Sequence, residues 1–88
     1  MNLHEEALLR EIREKIVEVA KANGARKVTK VRLWIGALSE IPGDHMKEEW
    51  PRTVDGTIAQ GAELEVETST DIHDPKATDI IVTSMDID

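Results

Sequence analysis

Any metal held by this sequence must be taken by imidazole, carboxylate, amide or water, because the chain contains no cysteine. That count excludes a disulfide framework and every thiolate zinc or iron–sulfur site. His4 is one candidate donor, placed at the start of an apolar-periodic stretch, with an ordinary exposed histidine at a helix start as the competing account. Asp71, His73 and Asp74, with Asp79 just beyond, form a second, weaker set that could hold a cation, although loops use the same residue types for turn formation and solubility. His45 reads as an exposed polar residue. No glycine-rich phosphate loop follows a strand, and no serine lies in a nucleophile motif, so these residues do not describe an enzyme.

The elements that must position these residues are legible from periodicity. Thirteen residues from Lys27 to Ser39, KVTKVRLWIGALS, form a strand ending at Gly36. Alternation puts Thr29, Val31, Leu33 and Ile35 on a core face and Val28, Lys30, Arg32 and Trp34 on the other. Gly36 ends the run as a residue that reaches backbone conformations closed to side chains with a Cβ. Before it, Leu9, Ile12, Ile16 and Val19 recur at spacings of three and four, widened by Leu8 and Ala20, which predicts an amphipathic helix over about Leu3 to Asn23. Asn2 and Glu5 have capping-box spacing, Glu6 with Arg10 and Glu11 with Lys15 are solvated i,i+4 pairs, and Gly24 supplies the stop.

After the strand, a short helix is expected around Asp44 to Trp50, with Pro51 ending it. GTIAQG at 56–61 is a turn and crossover, Ala62 to Thr68 a strictly alternating strand, Asp71 to Lys76 a loop, and Asp79 to Ile87 a β-branched strand. The outward Glu63, Glu65 and Glu67 are expected beside Lys30 and Arg32 on a neighbouring strand, as a solvated charged face. The fold class is α+β: a small mixed three-stranded sheet with two helices on one face, in the order α-β-α-β-β. The first two strands should run parallel, and the last two should pair antiparallel as a hairpin. Trp34 falls on the charged face, where it is either covered by a loop or terminus or offers a partner contact.

With 88 residues the chain is one domain, small enough that only about 60% of its unfolded surface is buried. A net charge of −7 argues against nucleic acid and anionic membranes as partners. No basic-then-apolar leader and no run near the ~20 apolar residues of a membrane span are present, so a soluble cytoplasmic protein is expected.

The segments HEEALLREI, GARKVTKVRLWIGALS and GTIAQGAELEVE, in this order and spacing, resemble the nickel-binding domain of the HypA/HybF hydrogenase-maturation chaperones, and DIIVTSMDI resembles that family's closing strand. The resemblance covers nearly the whole chain and implies a single domain over 1–88 that acts as a nickel metallochaperone or accessory protein, with a metalloenzyme-maturation protein as partner. It implies His4 and Glu5 as metal residues, by match to the family's Met-His-Glu start, and transient nickel as the cargo. Two departures stand out. The start here is Met-Asn-Leu-His-Glu, which moves the imidazole away from the terminal amine. The family's zinc insertion, with paired Cys-x-x-Cys motifs, is replaced by a loop at 71–78, so no zinc is expected. A metal-independent adaptor that keeps the docking surface is the rival reading, and an unpaired sheet edge or Trp34 suggests a homodimer or a docked partner.

Overall fold

The computed structural model describes residues 3–88. The capping box expected at Asn2 therefore lies outside the described residues. The predicted first helix is present as α1 (Leu3–Ala22), burying Leu9, Ile16 and Ala20. It closes with Gly24 at φ +73°, where the Gly24 amide donates to Lys21 O at 3.0 Å and the Ala25 amide to Ala20 O at 3.0 Å. These two bonds satisfy carbonyls that the last helical turn leaves open. Among the described residues, Glu6 with Arg10 and Glu11 with Lys15 form no ion pair.

Strand β1 (Val28–Ile35) is the centre of the fold. The sheet runs β2-β1-β3, with β2 (Glu63–Thr68) parallel to β1 and β3 (Ile80–Ile87) antiparallel to it. The expected hairpin between the last two strands is thus not formed: they lie on opposite sides of β1. Val28, Val31, Leu33 and Ile35 are all at most 1% exposed, and seating their strand in the middle covers them from both sides. A β2–β3 hairpin would leave this most apolar strand on an edge. The connecting segment instead passes over the end of β1, where the Ser69 amide donates to Ile35 O at 2.9 Å and the Gly36 amide to Asp79 O at 2.9 Å.

The alternation along β1 holds from Lys30 to Ile35 and fails before it. Val28 is fully buried and Thr29 is exposed, the reverse of the expected faces, because the pairing with β3 slips between Val28 and Lys30. A bulge of this kind changes the face that the following side chains point to. Gly36 also has a different reason from the expected one. Its φ is not positive, but a Cβ there would lie 2.2 Å from the carbonyl oxygen of Ala77. Close backbone approach, not backbone conformation, requires the glycine.

The second helix, α2 (Gly43–Val54), continues past Pro51. Proline removes one helical donor, but the turn beyond it is held by burial of Thr53 and Val54 and by the Thr53 hydroxyl, which donates to Glu49 O at 2.8 Å. Met46 and Trp50 share the buried side of α2, and the indole Nε1 of Trp50 donates to Ala62 O at 2.8 Å. Both helices pack against the sheet through one core that joins Leu9, Ile16, Met46 and Trp50 to Val31, Leu33 and Ile35. Among the described residues, no helix is long and apolar enough to cross a membrane.

Candidate metal site

The first turn of α1 carries the two residues matched to the metal motif, and the structure sends them to different neighbours. Successive helical side chains diverge by about 100°, so His4 and Glu5 leave the helix in different directions. His4 faces the segment between β1 and α2, where its Nε2 lies 2.8 Å from Oε2 of Glu40. Both side chains are largely exposed, at 67% and 63%. Glu5 faces α2 and hydrogen-bonds Nε2 of His45, and its side chain is only 16% exposed. His45 also has Glu48 Oε2 at 3.6 Å from its Nδ1. The hydrogen bond to Glu5 raises the pKa of His45 above its ordinary value, helped by the charges of Glu5, Glu49 and Glu48 and opposed by desolvation. His45 is therefore half-exposed and engaged, not simply the exposed polar residue expected from sequence: it fastens the start of α2 to the start of α1.

Glu40 was not legible as a site residue. It stands on a turn fixed from both ends, where the Leu38 amide donates to Ala77 O at 2.7 Å and the Ser39 hydroxyl oxygen accepts from the Ile41 amide at 3.3 Å. Ile41 is fully buried, which anchors the residue after Glu40. His4 and Glu40 border a groove of about 760 Å³ between α1 and the start of β3, lined by Leu8, Ile12, Leu38 and Ile80 among others.

The second expected donor set lies in the connection between β2 and β3. The Asp71 carboxylate accepts the His73 amide at 2.9 Å, and the Asp74 carboxylate accepts the Lys76 amide at 2.8 Å. Both acids thus organise successive turns that carry the chain from one sheet edge to the other. Among the described residues, no group of three or more His, Asp or Glu side chains is gathered as a metal cage.

The face of the sheet away from the helices carries Glu63 and Glu65 of the expected glutamate row beside Lys30 and Arg32, while Glu67 falls in register with Trp34. Lys30 lies 3.5 Å from Glu63 and 3.6 Å from Glu65, while Arg32 lies 2.9 Å from Glu65 and 3.1 Å from Asp86. The hydrogen bond from Arg32 holds the Asp86 carboxyl below its ordinary value, against a smaller opposing effect of desolvation. Trp34 is half-buried on this face, in register with Glu67 on one side and Ile81 on the other.

The family described as "Hydrogenase/urease nickel incorporation, metallochaperone, hypA" matches residues 3–73, a stretch that includes His4, Glu5, Glu40 and His45. This chain belongs to the HypA family. It is 36% identical over 64 residues to the hydrogenase maturation factor HypA of Rhodobacter capsulatus, covering 73% of this chain and 57% of that one. With the HypA of Methanosarcina acetivorans the identity is 36% over 66 residues, covering 75% and 50% of the two chains. The HypA of Thermococcus kodakarensis is 36% identical over 63 residues, covering 72% and 45%. The matched part of this HypA-family chain thus spans about half the length of these relatives. The matched stretch takes in both helices, β1 and β2.

Proposed function

We propose that this chain is a nickel-binding accessory module that acts in the cytoplasm in the maturation of a nickel metalloenzyme such as a hydrogenase, holding Ni²⁺ transiently at His4 and Glu5. The observation that carries the reading is the position of His4: a largely exposed imidazole at the start of α1, within the family match. Imidazole is a suitable ligand for Ni²⁺, and a partner can reach an exposed site without unfolding the domain. Glu5 adds a carboxylate in the next position, anchored on His45, so using it as a ligand means sharing or giving up that contact. No bond-making step is involved. The ion is cargo, held by few protein donors and released by ligand exchange at a protein contact.

The domain is read as a single nickel-binding-type unit, with the turns at 71–78 standing in place of a zinc subdomain. The sequence has no cysteine from which a thiolate zinc site could be built. Delivery needs a maturation partner, and the groove beside His4 and the half-buried Trp34 are candidate contacts for it. The open edges of β2 and β3 make a homodimer a further proposal, tested by light scattering.

One observation favours the metal-independent adaptor instead: among the described residues, no group of three or more His, Asp or Glu is placed to hold a metal ion. Calorimetric titration with Ni²⁺ separates the two. A saturable site lost in His4→Ala supports nickel carriage, and heat no greater than dilution supports the adaptor.

A further inference from the structure

We infer that Glu40 is a positioning residue for His4: by accepting the Nε2–H hydrogen bond it keeps the proton on Nε2 and leaves Nδ1 as the nitrogen that an incoming cation meets. The inference rests on the nickel reading above for its purpose, but the geometry stands without metal. Nε2 of His4 is 2.8 Å from Oε2 of Glu40. An ionised carboxylate only accepts hydrogen bonds, so Nε2 must donate. A neutral imidazole with its proton on Nε2 has its lone pair on Nδ1, and a metal binds through a lone pair. Histidines that ligate metals characteristically give the other ring N–H to a carboxylate, which fixes the tautomer and makes the ring a better donor.

The neighbouring acid cannot do this, because Glu5 points to α2 and bonds His45. The orienting carboxylate comes from another element, on a backbone that is already fixed. The Ser39 amide donates to Gly36 O at 3.1 Å, and the Ile41 side chain is fully buried. Because both partners are so exposed, the pair contributes little to stability. Its loss can therefore be read as a change at His4 and not as unfolding.

The test uses long-range ¹⁵N–¹H correlation spectra of the full chain without metal, in alkaline buffer, alongside Ni²⁺ titration. Native protein is expected to show His4 as a single Nε2–H tautomer. Glu40→Ala should admit an Nδ1–H population, keep the native melting temperature, and bind Ni²⁺ about 10–100-fold more weakly. Glu40→Gln, which retains an acceptor oxygen, should restore the tautomer and part of the affinity. An Nδ1–H tautomer in the native protein, or identical tautomer populations in native and Glu40→Ala protein, overturns the inference, as does unchanged nickel affinity in Glu40→Ala. Native protein that binds no nickel while Glu40 still controls the tautomer overturns the nickel reading and leaves the positioning role standing.

Discussion

Glu5 on the first turn of α1 accepts a hydrogen bond from His45 on the first turn of α2, so the two helix starts are joined side chain to side chain. The contact ties the first turn of α1, which also carries His4, to α2. It also makes the protein sensitive to pH in a defined sense. The pKa of His45 is raised in the folded state, chiefly by Glu5, so the stability it contributes is fully present below its ordinary value of 6.5 and is lost as pH rises through the raised folded value. His45→Ala is expected to lower the melting temperature in mildly acidic buffer and to approach the native value in alkaline buffer. The same deficit at every pH would show that charge plays no part in the contact.

Gly36 gives a sharp stability test. A Cβ at Gly36 would sit 2.2 Å from Ala77 O, whereas one at Gly24 meets nothing within 4 Å. Gly36→Ala is expected to cost about 3 kcal/mol or more by overpacking against the backbone. Gly24→Ala carries only the strain of its φ of +73°, about 1–2 kcal/mol. Urea unfolding of both variants measures the difference, and equal costs would contradict the close approach of the connecting segment to β1.

The two tryptophans should behave differently. Trp50 is 5% exposed with its indole N–H bonded to Ala62 O, so Trp50→Phe leaves that carbonyl without its partner and should cost about 1–3 kcal/mol. Trp34→Phe replaces a half-buried indole by a smaller ring on the open sheet face and should cost less. Iodide quenching should be stronger for the Trp34 emission of Trp50→Phe than for the Trp50 emission of Trp34→Phe, and the reverse order would show the faces to be misassigned.

Periodicity carried much of the fold. The three-and-four spacing of Leu9, Ile12 and Ile16 located α1, and the alternation of Val31, Leu33 and Ile35 located β1, because each pattern is local and each marks the side that packs into the core. Which strand pairs with which was not local information. β2 alternates and β3 is rich in β-branched residues, which is enough for a hairpin on local grounds, and only the need to cover both sides of β1 separates them. The bulge at Thr29 arises from pairing with β3, which the run itself does not reveal. Pro51 misled for a similar reason, since the burial of Thr53 and Val54 outweighs a local rule. At the site, the type of His4 was visible but its partner was not, because Glu40 reaches it only through the fold of the intervening chain. A carboxylate after a serine has no spacing signature of its own. The same holds for His45, which is 40 residues from Glu5 in sequence.

The turns at 71–78 bear on zinc. Their acids are engaged with backbone amides, and the sequence offers no thiolate. The melting temperature is expected to be unchanged by EDTA and by added zinc. A fall with EDTA, together with stoichiometric zinc by elemental analysis, would contradict this.

The most direct measurement is calorimetric titration of the native chain, His4→Ala and Glu5→Gln with Ni²⁺, under identical buffer conditions. The expected result is one saturable site in the native protein, weakened by more than about tenfold in His4→Ala and by less in Glu5→Gln, with all three proteins keeping a folded far-ultraviolet spectrum. Equal affinity in native protein and His4→Ala would contradict nickel carriage at the start of α1.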